Sequence, residues 1–189
     1  MWAAGRAFKL GLQAGSGGNI SIRLGDGYFL TKPTGKGLVD CSSSDLLLVD
    51  SSGKPAQGHA DPTKEIHVHL SLFEVRPEIQ AVVHYHAPYA TAFASKGMAL
   101  PLPTVHARRI LKRVPLVPEY PEGSRDLADA VRKVCEDKSV TGILMINHGL
   151  MAVGGSVEKA QYCAELMEES ARIGWLSQAM PPGSAGASS

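Results

Sequence analysis

His84 and His86 flank Tyr85 and so stand two residues apart. On an extended strand alternate side chains share a face, so the two imidazoles converge on one point, as paired metal ligands must. By itself a His-X-His also fits two solvated histidines on a strand edge, and short motifs recur by chance. His148 shifts that balance. It lies in Asn147-His148-Gly149, directly after the apolar run 143–146, where a turn carries a functional side chain. Three imidazoles make the protein half of a catalytic zinc site and leave a position for substrate oxygens. Glu65 then supplies a carboxylate that can either complete the metal shell or move a proton once substrate displaces it. The helix dipole alone also favours an acid near a helix start, so Glu65 gains its meaning only from the histidines.

A second group of residues suits an anion. Gly17-Gly18-Asn19-Ile20-Ser21, Thr34-Gly35 and Thr63-Lys64 combine glycine turns, hydroxyls, an amide and one lysine. Free backbone N–H groups in such turns and at a helix N-terminus cradle phosphate. Each piece is weak alone, because most glycine turns only turn.

These side chains need elements to hold them. A helix is expected over 2–14, ended by Gly15, Gly17 and Gly18. Strands 20–24 and 28–31 flank Gly25-Asp26-Gly27, a strong hairpin signal. A loop follows at 32–37, then a short strand at 46–49. Asp61-Pro62 is expected to open a helix running to Arg76, with Asp61 as cap and Pro62 in its first turn. The run 81–86 is a strand, and Pro88 opens another helix. Residues 97–122 hold five prolines and are expected to be loops around one strand near 114–117. An amphipathic helix at 124–137, strands on either side of His148 and a long helix at 156–178 complete the pattern. The expectation is one α/β domain over 1–178, with a disordered tail at 179–189.

Composition narrows the partners. The net charge is +1 over 189 residues, so no global field draws nucleic acid or an anionic membrane. No apolar run reaches the length of a membrane span, and the opening MWAAGRAFKLGLQAG lacks the features of a signal peptide. Cys41, Cys135 and Cys163 are dispersed, which fits reduced, buried thiols in a cytoplasmic protein.

Taken in order, GSGGNISIR (15–23), TKPTGKG (31–37), PTKEIHVHLSLF (62–73), AVVHYHAPYATA (81–92) and ILMINHGLMAVG (143–154) resemble the class II aldolase/adducin family across roughly residues 3–178. The resemblance implies an α/β/α sandwich around a mainly antiparallel sheet, assembled as a homotetramer with sites at subunit interfaces. It implies a divalent metal, Zn²⁺ or else Mn²⁺ or another cation, on His84, His86 and His148. It assigns the catalytic carboxylate, also a metal ligand, to Glu65, and phosphate contacts to Asn19, Thr34, Gly35, Thr63 and Lys64. His106 and Arg109 become candidates for substrate contacts across a subunit boundary.

Within the family, Lys64 stands where the simple aldolases usually show serine, and 113–131 looks like the 3-oxo-tetronate 4-phosphate decarboxylase branch. Val105-His106 stands where that branch commonly carries tyrosines. The implied chemistry is carbon–carbon cleavage of a phosphorylated sugar or sugar acid through an enediolate. The fuculose-1-phosphate type of aldolase is the first alternative. A ribulose-phosphate 4-epimerase, which typically carries aspartate where Glu65 stands, and a non-enzymatic adducin-like module are the others.

Overall fold

The computed structural model describes residues 1–180, built around one seven-stranded sheet. The strands are β1 (Asn19–Arg23), β2 (Phe29–Thr31), β3 (Leu47–Val49), β4 (Ala81–Tyr85), β5 (Leu116–Val117), β6 (Gly142–Met145) and β7 (Gly149–Gly154). Their order across the sheet is β3-β2-β1-β4-β7-β6-β5, with every neighbouring pair antiparallel except β5 with β6. The helices are α1 (Trp2–Lys9), α2 (Ile66–Val75), α3 (Pro88–Ser95), α4 (Val105–Leu111), α5 (Arg125–Cys135) and α6 (Val157–Ala179).

Strand alternation divides the core into two layers. On β7, Leu150 and Ala152 join Val83, Tyr85, Ala90, Phe93 and Met167 beneath α3 and α6. Met151 and Val153 face the opposite way and join Val82, Leu72, Phe73, Leu127 and Val131 beneath α2 and α5. Burial of each large aliphatic or aromatic side chain contributes about 1.5–3 kcal/mol, and apart from His84 the central strands β4, β6 and β7 are apolar on both faces. They therefore read as unbroken apolar runs. The result is the α/β/α sandwich with a mainly antiparallel sheet.

Several boundaries differ from the sequence expectation. Helix α1 ends at Lys9, because Gly11 turns left-handed at φ +70° and Leu12 N–H returns to the Ala7 carbonyl. Helix α2 starts at Ile66, not at Asp61-Pro62. Residues 61–63 run extended beside 32–34 instead: Thr34 N–H donates to the Asp61 carbonyl and Thr63 N–H to that of Lys32. Region 97–122 contains a helix that its prolines concealed. Thr104 Oγ1 accepts from Ala107 N–H and caps α4, so Pro101 and Pro103 precede a helix start and break nothing. At the other end, Ala179, where the tail was expected to begin, still belongs to α6, and residues 181–189 of that expected tail lie outside the described residues.

Candidate metal centre and anion cleft

The sheet's two central strands deliver the histidines. His84 is paired on both sides, opposite Asn19 of β1 and Met151 of β7, and is fully enclosed. Its Nδ1 lies 2.8 Å from the Leu150 carbonyl. A carbonyl only accepts, so Nδ1 carries the proton and Nε2 keeps its lone pair toward the cleft. His86 sits one residue past the end of β4, with its Nε2 3.0 Å from that of His84. His148 comes from the β6–β7 turn, in which Asn147 holds φ +56° and His148 N–H donates to the Met145 carbonyl. Asn147 Nδ2 is clamped by Glu119 Oε2 at 2.6 Å. The ligand nitrogens of His84, His86 and His148 lie within 4.8 Å of one another.

Glu65 reaches the same point from the start of α2. Its carboxylate caps no helix N–H. Oε1 stands 3.2 Å from His148 Nε2 and Oε2 3.3 Å from His84 Nε2, while Asn19 Nδ2 donates to Oε2 at 2.8 Å. Burial opposes its ionisation, but the imidazoles of His84 and His148 and the Asn19 amide outweigh it, so the carboxyl stays well below the usual carboxylate range. Burial and the neighbouring imidazoles His148 and His86 push His84 down to about 4 against the pull of Glu65, so its ring is neutral. His86 is also lowered, chiefly by burial. His148 moves the other way, because its contact with Glu65 and the charges of Glu65 and Glu122 overcome burial.

A divalent cation suits these residues. Three imidazole nitrogens face one centre, at least one with its tautomer fixed for ligation, and among the described residues buried Glu65 Oε1 makes no hydrogen bond of good geometry, only its contact with His148 Nε2. A buried carboxylate oxygen so placed beside three imidazoles is the donor set that such a cation completes.

The centre forms one end of a cleft of about 330 Å³. Asn19, Thr34, Gly35, Thr63 and Lys64 all line it, together with Ser16, Gly17, Gly18, Lys32 and Glu122. The pairing of 61–63 with 32–34 is what sets Thr63 and Lys64 beside Thr34 and Gly35. Gly123 packs against the Lys64 carbonyl so closely that a side-chain carbon there would collide, which seats the 118–123 loop against the Lys64 backbone.

Three cleft residues, Ser16, Lys32 and Glu122, escaped the sequence reading of the site. Lys32 is buried, with its ammonium donating to the Ser16 and Lys36 carbonyls, and burial lowers its pKa. Its position before Pro33 in TKPTGKG was the available signal. Glu122 lay in a proline-rich stretch without periodicity and gave none. His106 and Arg109 lie apart on α4, and His106 lines a different groove with Leu10, Tyr162 and Glu165. Neither enters the metal-centred cleft of its own chain.

Known proteins share this layout. The L-fuculose phosphate aldolase of Methanococcus maripaludis is 35% identical over 162 residues, 86% of each chain. The L-ribulose-5-phosphate 4-epimerase UlaF of Salmonella paratyphi A is 32% identical, spanning 93% of this chain and 82% of its own. Among solved structures, Escherichia coli YgbL, described as a putative aldolase/epimerase/decarboxylase, superposes with a TM-score of 0.87 at 30% identity, covering 98% of this chain and 91% of that one. The family model for the class II aldolase and adducin N-terminal domain matches residues 1–175, and with these likenesses the chain belongs to the class II aldolase/adducin family.

Proposed function

We propose that the protein is a divalent-metal-dependent carbon–carbon lyase that takes a phosphorylated sugar or sugar acid through an enediolate. One observation carries the reading: three imidazole nitrogens converge within 4.8 Å of one another, with the buried Glu65 carboxylate against two of them. An adducin-like module has no use for such a buried ionisable cluster, which costs stability.

When bound by His84, His86 and His148, the cation supplies Lewis acidity for the charge that develops on two adjacent substrate oxygens. Asn19 holds Glu65 Oε2 and leaves Oε1 free to accept a proton from substrate and return it. Thr34, Gly35, Thr63, Lys64 and Asn19 take the phosphate, with the Lys64 ammonium as its counter-charge. Lys32 holds the Ser16 carbonyl and so steadies the glycine turn from below.

For the bond that breaks, we favour decarboxylation of a 3-oxo-tetronate 4-phosphate type of substrate, supported by the 113–131 segment and the likeness to YgbL. Aldol cleavage of a fuculose-1-phosphate type of substrate is the second reading, supported by the relatives named L-fuculose phosphate aldolase. Both release dihydroxyacetone phosphate. A coupled assay for that product, run on zinc-loaded protein with each substrate class, tests the proposal. Carbon dioxide as co-product supports decarboxylation and an aldehyde supports aldol cleavage. No dihydroxyacetone phosphate from either class would refute the lyase reading.

A further inference from the structure

His86 has an unusual support. Strand β4 ends at Tyr85, whose partner on β7 is Leu150, and the pairing with β1 ends at His84. Among the described residues, no sheet ladder therefore fixes the His86 backbone. Its N–H donates instead to Gln13 Oε1 at 3.0 Å. The other end of that amide, Nε2, donates to the Ala14 carbonyl at 2.7 Å. Both partners are backbone groups of fixed polarity, so the amide has only one orientation. Gln13 is 7% exposed and does not line the cleft.

The same side chain fills the underside of the glycine turn. A carbon added at Gly17 would stand 2.6 Å from Gln13 Nε2 and 2.9 Å from His86 Nδ1. One added at Gly18, which holds φ +65°, would stand 2.5 Å from Gln13 Oε1. Gly17 and Gly18 line the cleft. Buried Gln13 thus touches the turn beside the anion end of the cleft and the backbone of one metal ligand at once. A close-packed joint of this kind passes displacement rather than absorbing it.

We infer that Gln13 is a positioning residue that locks the glycine turn at 15–18 to the His86 backbone and thereby couples anion affinity to metal affinity. Rigid coupling makes the effect reciprocal: anything that loosens the turn loosens His86, and the reverse. The inference rests on the proposed metal and phosphate roles of the cleft.

Three measurements on purified full-length protein test it: zinc affinity of the metal-free form by chelator competition, affinity of the zinc-loaded form for inorganic phosphate, and metal-free melting temperature. Gln13→Met keeps the length of the side chain and removes the amide. It should weaken zinc about tenfold, as loss of an outer hydrogen-bond partner does, and should weaken phosphate as well. Gln13→Glu keeps an acceptor for His86 N–H but sets a negative charge under the turn. It also loses the bond to the Ala14 carbonyl, so phosphate affinity should fall more than about tenfold and zinc affinity should fall with it. If Gln13→Met does not fold, Gln13→Glu alone decides: weakened phosphate beside unchanged zinc would be an effect of charge only and would overturn the coupling. A Gln13→Met protein with a lower melting temperature but unchanged zinc and phosphate affinities would make Gln13 a filler and overturn the inference, as would unaltered phosphate binding in Gln13→Glu. Wild type that fails to bind zinc at all would instead sink the metal reading, and the coupling with it.

Discussion

The proposed roles of Glu65 (proton transfer) and of the histidines near it (metal binding) are separable by substitution. Glu65→Gln keeps size and loses basicity. Zinc content measured by elemental analysis should stay near one per chain, while turnover falls roughly 10²–10⁴-fold, the worth of general acid–base catalysis. Near-normal turnover at full metal loading would leave Glu65 as a helix-start carboxylate and nothing more. His148→Ala removes a ligand, so zinc content and activity should fall together. Lys64→Ala should raise KM for a phosphorylated substrate far more than for its unphosphorylated analogue; equal effects would remove Lys64 from the phosphate site. The candidate residues themselves were legible because His-X-His, a third histidine after an apolar strand and a carboxylate form a chemically closed set. Lys32, Glu122 and Gln13 were not legible, since their meaning lies in which carbonyls, rings and turns they touch.

At the level of elements, the site is a meeting of strand ends and turns. Asn147 shows how a turn aims a ligand: left-handed backbone at φ +56° swings His148 back over the sheet toward Glu65. Asn147→Gly keeps that conformation available and should retain zinc. Asn147→Val forces a β-branched residue into left-handed backbone, a strain of about 1–2 kcal/mol. Its melting temperature and zinc affinity should both drop, and a Val variant matching the Gly variant in both would show that the turn does not aim His148. Helix α3 offers a parallel case. Its N-terminal Tyr89 and Ala90 N–H groups donate to Glu168 of α6 at 3.0 and 2.8 Å, so a distant helix caps the segment that follows His86. The central strands and α6 were readable from apolar runs and a serine cap. The true start of α2 was not, because Asp61-Pro62 satisfies the rules for a helix start equally well. Pairing with residues 32–34, far away in sequence, decided otherwise.

For the whole molecule, burial of the site has a consequence for stability. His69 and His84 are both held at about 4, His69 chiefly by burial beneath the sheet, where its Nδ1 meets Ser21 Oγ at 2.7 Å. An unfolded histidine titrates near ~6.5, so below that value the unfolded chain binds protons that the folded chain refuses. The stability these two rings contribute is complete above ~pH 6.5 and is lost as pH falls toward 4. His148, raised above its ordinary value, acts in the opposite sense: its contribution is present at low pH and fades as pH rises through its folded value. Three depressed rings, His69, His84 and His86, against one raised ring predict a metal-free urea midpoint lower at pH 5 than at pH 7.5. His69→Gln should flatten that dependence; an identical slope in wild type and variant would show that His69 stays charged or exposed.

What the sequence determined by itself was residue chemistry and the main elements: three histidines and a carboxylate in a pattern that suits a metal, the glycine turns, and the apolar runs of the central strands. These depend on residue identity and short spacing, which local physics fixes. Tertiary structure alone decided that residues 61–63 adjoin 32–34, that Glu65 stands between His84 and His148, and that Gln13 rather than a sheet ladder holds the His86 backbone. Those outcomes come from contacts between segments tens of residues apart. Such contacts are set by how the two helical layers close on the sheet, and no local preference encodes them.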